Sequence, residues 1–160
     1  FIEDGSFNIE TTSIGEPFLN KDLIYRALEK NIWVKVISNL TLINAEDISK
    51  LMNKRISITS SVDSVNEEIY RKIRVPADHD TFIKVLSNAK VLAKLGLLHN
   101  NDITITSENL DYDDLVNTYD WFNRLGVTVL FGVDNNKRTE LLNSPIVQRL
   151  QNEYPNNWRI

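Results

Sequence analysis

Two patterns of hydrophobic and polar positions alternate along the chain, one typical of strands and the other of helices. Strands are predicted at about residues 6–12, 32–37, 55–60, 102–106 and 127–131. The first has a period of two, the second is rich in β-branched residues, and the last is nearly all apolar, as in a strand buried on both faces of a parallel sheet. Between them, apolar residues recur at helical spacing, most clearly from Phe82 to Gly96 and from Tyr112 to Leu125. Repeated strand–helix alternation predicts a parallel sheet with helical crossovers.

Polar residues before the helical segments predict where several helices begin. Asn44 and Asp47 have the three-residue spacing of a reciprocal cap, and Ser64 and Glu67 have the same spacing. Asp80 is predicted to cap the longest helix, which Gly96 would end.

The predicted architecture is an α/β partial barrel. Five strand–helix units are too few for an eight-fold barrel, so the sheet is expected to be open or partly closed. Ligand-binding and catalytic residues in such sheets lie at the carboxyl ends of the strands. Because residues 1–150 contain no linker or low-complexity tract, they are predicted to form a single domain, followed by a C-terminal tail at 151–160.

Charge and composition argue against several classes of function. A net charge of −4 gives no reason to expect nucleic-acid binding, and no apolar run is long enough to span a membrane. We therefore expect a cytoplasmic protein without nucleic-acid or membrane partners. The chain has no cysteine, which excludes a disulfide framework, a thiol nucleophile and a cysteine-ligated iron–sulfur cluster within these residues. His79 and His99 lack a paired acidic ligand motif, so no metal site is predicted.

Small hydroxyl, amide and carboxylate residues follow the predicted strands. The first strand leads into Gly15 and Glu16, and the third leads into Ser60 and Asp63. Capping of the next helix explains any one such loop, whereas several together favour a ligand site at this edge of the sheet. Since no glycine-rich phosphate loop of standard spacing occurs, dinucleotide and nucleotide-phosphate sites lack support.

The order of these loops resembles one family. Residues 13–19 (Ser-Ile-Gly-Glu-Pro-Phe-Leu) are similar to a Gly-Gly-Glu-Pro-Leu-Leu segment, and residues 37–42 (Ile-Ser-Asn-Leu-Thr-Leu) to Thr-Asn-Gly-Thr-Leu-Leu. Residues 58–64 (Ile-Thr-Ser-Ser-Val-Asp-Ser) are similar to Ser-Leu-Asp-Gly/Ser. The segments occur in this order, with preserved spacing, in the radical S-adenosylmethionine (SAM) enzymes. The resemblance covers about residues 8–131.

The resemblance implies a fold and a cofactor. The five strands would be the second to sixth of a six-stranded partial barrel. The residues implied in SAM binding all lie near strand ends: Gly15, Glu16, Ser38, Asn39, Ser60, Asp63, Thr106, Glu108 and Phe131. In the family, the first two positions hold the SAM amino group. The next four reach the ribose and carboxylate, and the last three flank adenine, Phe131 through its backbone.

The resemblance also implies a catalytic partner group that this chain does not hold. In the family a 4Fe-4S cluster, bound by a Cys-x3-Cys-x2-Cys segment upstream, cleaves SAM to a radical that abstracts hydrogen from the substrate. The chain begins at Phe1 and contains no cysteine, so we expect a fragment of the catalytic domain that is inactive alone. The substrate, a small molecule or a peptide, is not evident from the sequence.

Two alternatives remain open. Ile14 and Leu40 stand where the family has glycine, which together with the lack of cysteine favours a degenerate, cluster-free binding or scaffold module. An unrelated partial α/β barrel that binds a small polar ligand at the same edge is the third possibility.

Overall fold

The strands form one parallel sheet. The computed structural model describes residues 8–11 and 15–159. Within them the strands are β1 (Asn8–Thr11), β2 (Trp33–Ser38), β3 (Ile56–Ser60), β4 (Leu98–Ile105) and β5 (Thr128–Val133). Each strand pairs in parallel with the next, so the order is β1-β2-β3-β4-β5. The predicted parallel sheet in sequential order is confirmed.

The helices follow the strands and are mostly capped by side chains. They are α1 (Lys21–Glu29), α2 (Ala45–Leu51), α3 (Glu67–Ile73), α4 (His79–Lys94), α5 (Tyr112–Arg124), α6 (Arg138–Leu142) and α7 (Pro145–Glu153). Asn44 and Asp47 form the predicted reciprocal cap of α2. Two predicted caps are wrong, because Asn66 rather than Ser64 caps α3, and Asp78 rather than Asp80 caps α4.

The fourth strand begins earlier than predicted. Residues 98–101 (Leu-His-Asn-Asn) lack β-branched residues, yet pairing with β3 holds them in the sheet. The register shifts where Ile58 pairs with Leu98 and Thr59 with Asn100, so His99 is an extra residue in β4. His99 therefore lies within the sheet.

The hydrophobic core lies on one face of the sheet. Exposure alternates along β2 and β3, so every second side chain is buried. The buried strand side chains include Val34, Val36, Ile56, Ile58, Ile103, Ile105, Val129 and Phe131. They join buried residues of the helices, such as Leu28, Val85, Leu92, Leu115 and Phe122, in one cluster. The helices therefore cover this face, as right-handed crossovers between sequential strands require.

The end of the described chain returns to the sheet. After α7, the backbone N–H of Phe131 donates to the carbonyl of Asn157 at 2.6 Å, and the N–H of Arg159 donates to the carbonyl of Phe131 at 2.8 Å. Residues 157–159, here called the C-terminal strap, thus run parallel to β5 at its outer edge. The division into a 1–150 domain and a 151–160 tail stays a prediction.

Candidate functional site

The carboxyl ends of the parallel strands meet at one rim of the sheet. Ser38 and Ser60 are the last residues of β2 and β3, and both are buried. The loops that follow these strands carry most of the residues that the sequence singled out. Contacts among those loops decide which polar groups are available to a ligand.

The carboxylate of Glu16 joins the first two loops. Its Oε1 accepts from the Ser38 hydroxyl at 2.7 Å and from the Phe18 N–H at 3.2 Å, and its Oε2 accepts from the Asn39 N–H at 2.8 Å. Gly15 precedes it with a φ of 125°, a conformation that favours glycine. Glu16, Ser38 and Asn39 are thus brought together, with the carboxylate holding the β2 loop in place.

Leu40 occupies a backbone position suited to glycine. Its φ is 65°, and its side chain is fully buried. Burial of a leucine side chain contributes roughly 1.5–3 kcal/mol, which offsets a left-handed backbone strain on the order of 1 kcal/mol. The loop is closed by Asn39, whose Oδ1 accepts from the Thr41 hydroxyl at 2.6 Å. Leu40 therefore adopts a backbone conformation that favours glycine, the residue that the family resemblance implies at this position.

Asn101 holds the loop after β3, a role that the sequence analysis missed. The Ser60 hydroxyl donates to Asn101 Oδ1 at 2.7 Å, and the Val62 N–H donates to the same oxygen at 3.0 Å. The Asn101 amide donates in return to the Val62 carbonyl at 3.0 Å. Because all three residues are buried, these bonds fix the loop rigidly.

The buried Asp63 forms an ion pair with the partly exposed Arg74 at the same rim. Nη2 of Arg74 lies 2.6 Å from Asp63 Oδ2 and donates to the Ser61 carbonyl at 2.8 Å. The other oxygen of Asp63 accepts from the Thr104 N–H at 2.8 Å. Burial raises the pKa of Asp63, and the Arg74 guanidinium opposes this shift. Arg74 is the residue that directly follows α3.

The Arg74 guanidinium retains hydrogen-bonding capacity. Its Nε is buried and has no partner among the described residues. The side chain lines a cavity of about 460 Å³ together with Asn39, Thr41, Tyr70 and Thr81. An unpaired guanidinium N–H beside hydroxyl and amide groups is suited to an anionic or strongly polar ligand group.

Thr106 and Glu108 lie in a separate turn after β4. The Thr106 N–H donates to Asn109 Oδ1 at 2.7 Å, and the Glu108 N–H donates to the Thr106 hydroxyl at 3.2 Å. The buried Asn109 amide donates to the Thr104 carbonyl at 3.0 Å. Glu108 is exposed, so its carboxylate is accessible from solvent.

Phe131 lies apart from the other predicted residues. Its ring is buried and stacks on Tyr119 with centroids 5.9 Å apart. Both of its backbone hydrogen-bonding groups are paired with the C-terminal strap. The structure therefore groups Glu16, Ser38 and Asn39 on one side of the rim and Ser60 and Asp63 beside them.

Asp114 adds a second buried acid near the rim. Its Oδ1 accepts from the Ser64 hydroxyl at 2.8 Å, while its Oδ2 is buried without a partner among the described residues. Burial raises the pKa of Asp114, and the Ser64 hydrogen bond opposes the rise. The Ser64 hydroxyl serves this contact and the Asn66 backbone, which explains why Ser64 does not cap α3.

Neither a metal-binding cluster nor a membrane-spanning helix occurs in the described residues. Residues 8–11 and 15–159 contain no group of three or more His, Asp or Glu side chains arranged to hold a metal ion. In that part of the chain, each helix is too short or too polar to cross a bilayer.

The fold is that of the radical SAM enzymes, in agreement with the resemblance of the rim loops. SuiB of Streptococcus suis superposes with a TM-score of 0.62 at 16% identity, over 95% of this chain and 38% of that one. The chain thus spans less than two fifths of the length of SuiB. Crystal structures of SuiB bound to S-adenosylmethionine and to the precursor peptide SuiA give TM-scores of 0.61 and 0.62.

A second neighbour is similar over its whole length. A domain of pyruvate-formate lyase-activating enzyme from Bacteroides vulgatus ATCC 8482 has a TM-score of 0.59 at 13% identity, over 98% of this chain and 99% of that one. No protein-family model matches the chain, and no curated protein sequence matches it. At these identities the likeness concerns the fold alone.

Proposed function

We propose that this chain is the SAM-binding part of a radical SAM enzyme domain. The observation that carries the proposal is a cavity of about 460 Å³ at the carboxyl rim, lined by Arg74, whose buried Nε has no partner among the described residues. SAM has a carboxylate, an amino group and ribose hydroxyls, which require donors and acceptors of the kind that this rim offers. A neighbour with the same fold binds SAM.

The rim residues would take different parts in binding. The Arg74 guanidinium and the Asn39 amide are the groups with capacity to donate to a carboxylate or ribose. Glu16 acts on the site mainly by positioning, because its carboxylate already accepts three hydrogen bonds. Thr106 and Glu108 would flank the adenine. The Phe131 backbone N–H is paired with the C-terminal strap, so this residue would flank adenine without donating a hydrogen bond to it.

The chain's residues do not fit an iron–sulfur cluster. It contains no cysteine thiolate, and its two histidines lie on different elements, in α4 and β4. In a complete enzyme the cluster would supply the electron that generates the radical, and this chain would bind and orient SAM and exclude water. The substrate is proposed to be a peptide, in line with the neighbour that binds a precursor peptide.

Glu16→Ala should weaken SAM binding far more than Asp113→Ala. Loss of the Glu16 carboxylate frees the Asn39 loop at the site, and we expect roughly a tenfold rise in the dissociation constant. Asp113 is exposed in the first turn of α5, so its loss should leave binding unchanged within error. The measurement is a calorimetric titration of SAM, with circular dichroism to verify folding.

Equal affinities of the two variants would contradict a role for Glu16. Wild-type chain that binds no SAM at millimolar concentration would contradict the proposal itself. Arg74→Met serves as the more direct variant, because it removes the donor that would face the SAM carboxylate while keeping a side chain of similar length.

A cluster-free binding module is the second candidate. It is favoured by the absence of cysteine and by the use of both Phe131 backbone groups for the C-terminal strap. The coding sequence upstream of Phe1 distinguishes the two candidates. Three cysteines at the family spacing would favour the enzyme, and their absence would favour the module.

A further inference from the structure

A cavity of about 380 Å³ lies between the C-terminal halves of α1 and α2, on the helix-covered side of the sheet. Each of these helices returns the chain from the carboxyl end of one strand to the amino end of the next. Their C-terminal halves therefore lie toward the amino ends of the strands, away from the carboxyl rim. The lining includes Tyr25, Leu28, Glu29, Lys50, Met52 and Lys54, none of which belongs to the proposed SAM site.

Polar contacts fix the two helices that form the walls of the cavity. Asp47 of α2 binds two groups of α1, Lys21 Nζ at 2.6 Å and the Tyr25 hydroxyl at 2.5 Å. Lys50 Nζ lies 2.7 Å from the Glu46 carboxylate and 5.1 Å from the centroid of the Tyr25 ring. The cavity is therefore preformed, and the charge of Lys50 is already compensated.

The wall between the two helices is largely apolar. Leu28 is buried, the Tyr25 ring is half-buried, and Met52 is 44% exposed. A methionine side chain is unbranched and adapts its shape to an irregular apolar neighbour. An apolar ligand group in the cavity would remove the exposed surface of Met52 from water, which is favourable. This wall therefore favours a ligand with a large apolar group.

Two charges of opposite sign line the cavity from opposite sides. Glu29 is the last residue of α1, and Lys54 follows α2. Both are exposed, and neither forms an ion pair within the described residues. The C-terminus of α1 adds partial negative charge beside Glu29. One side of the cavity thus attracts a cation and the other attracts an anion, which matches a zwitterion.

We infer that this cavity binds a free α-amino acid with a large apolar side chain. Its ammonium group faces Glu29, its carboxylate faces Lys54, and its side chain packs against Leu28 and Met52. A purely apolar ligand would draw the two charges out of water without giving them partners, which is costly. A phosphate would be repelled by Glu29, and an internal peptide segment lacks the adjacent ammonium and carboxylate. The inference goes beyond the proposed function and does not depend on it.

The test uses Met52 as the reporter, because it is the only methionine of the chain. The 160-residue chain is labelled with methyl-¹³C methionine, and its single methyl signal is followed by NMR. The probes are L-phenylalanine, 3-phenylpropionate, which lacks the ammonium group, and 2-phenylethylamine, which lacks the carboxylate. We expect a saturable shift with phenylalanine and a dissociation constant about threefold lower than for either analogue. Equal affinity for phenylalanine and either analogue, or no saturable shift with phenylalanine, would overturn the inference.

Two variants assign the charged groups separately. Lys54→Met should weaken the binding of phenylalanine and 3-phenylpropionate about threefold and leave that of 2-phenylethylamine unchanged. Glu29→Gln should weaken the binding of phenylalanine and 2-phenylethylamine and leave that of 3-phenylpropionate unchanged. Both positions are exposed, so both variants are expected to fold, which circular dichroism verifies.

Lys94→Met is the matched control. Lys94 is an exposed lysine at the end of α4, outside the lining of the cavity, and its replacement should leave all three affinities unchanged. An equal loss in Lys54→Met and Lys94→Met would reduce the role of Lys54 to overall charge and contradict the inference. Loss of all three ligands in Lys54→Met would likewise contradict its role as the carboxylate partner.

Discussion

Two buried aspartates, each paired with a cation, differ in how completely the surrounding polar atoms are hydrogen-bonded. Between α1 and α2, Asp47 Oδ2 lies 2.6 Å from Lys21 Nζ, and its Oδ1 accepts from the Tyr25 hydroxyl at 2.5 Å. The Asn44 N–H adds a further bond at 2.9 Å, and Lys21 also donates to the Leu42 carbonyl. Although burial alone would raise the pKa of Asp47, the bonds from Lys21 and Tyr25 outweigh it and lower the pKa.

At the carboxyl rim, in contrast, burial outweighs the ion pair in its effect on the pKa of the aspartate. The pKa of Asp63 is raised by burial despite the ion pair with Arg74, and Arg74 Nε lacks a partner among the described residues. Oδ2 of Asp114 is likewise buried without a partner among the described residues. A network that serves stability satisfies its polar atoms, whereas unsatisfied buried groups call for an explanation such as a ligand or an ordered water. This difference is one reason to propose a ligand site at the rim.

Removal of Asp47 should have the largest effect on folding. Asp47→Ala leaves Lys21 and the Tyr25 hydroxyl without their acceptor, and we expect a loss of about 3 kcal/mol in the free energy of unfolding at pH 7. Since the pKa of Asp47 is lowered by folding, its contribution is present above the unfolded pKa and is lost as the pH falls through the folded pKa. Urea unfolding at pH 7 and at pH 3 measures both effects.

Glu46→Ala provides the matched control for Asp47. The exposed Glu46–Lys50 pair should contribute little to the free energy of unfolding, because solvent screens both charges. Similar losses from the two variants would contradict the idea that the buried network is the stabilising one.

Replacement of Arg74 should have an intermediate effect with the opposite pH dependence. Arg74→Met leaves Asp63 buried without its cation, and we expect a loss of about 2 kcal/mol at pH 7, reduced because Arg74 is partly exposed. A raised pKa means that stability is greatest below the unfolded pKa and is lost as the pH rises through the folded pKa. The variant should therefore recover stability between pH 7 and pH 5, as measured by urea unfolding. A pH-independent loss would instead indicate that Arg74 acts only by packing.

The smallest effect is expected at Asp114. Because burial raises its pKa, Asp114 opposes folding as the pH rises through that value. Asp114→Asn keeps the acceptor for Ser64 and removes the charge, so the variant should gain about 1 kcal/mol at neutral pH and nothing at pH 4. Thermal unfolding at both pH values checks this, with the exposed Asp113→Asn as control. A gain at both pH values would assign the effect to hydrogen bonding instead of charge.

Local sequence rules recovered the sheet but not all of its boundaries. The apolar runs of β2, β3 and β5 and the Asn44 cap were predictable because their signals are local. The start of β4 was not, since polar residues 98–101 are held in the sheet by β3. Asp78 was missed because an acidic residue two positions later offered the same local signal.

The position of the candidate site in the fold was predictable from the sequence, but the contacts between its residues were not. The order of the loops located the rim and grouped Glu16 with Ser38 and Asn39. The contacts of Arg74 and Asn101 at the rim were not predicted, because Arg74 directly follows α3 and Asn101 lies inside β4. Their roles depend on partners 11 and 41 positions away in the sequence.

The C-terminal strap has a consequence for how this chain behaves in concentrated solution. Strand β5 would otherwise present its unpaired backbone groups along an outer edge, where strands of other copies could add to the sheet. The two bonds between the strap and Phe131, and the ion pair from Arg159 to Asp102, occupy that edge within the molecule. The C-terminal strap thus hinders the pairing of other strands with this edge of the sheet. A shortened chain ending before Asn157 would be more prone to self-association, even with an intact core.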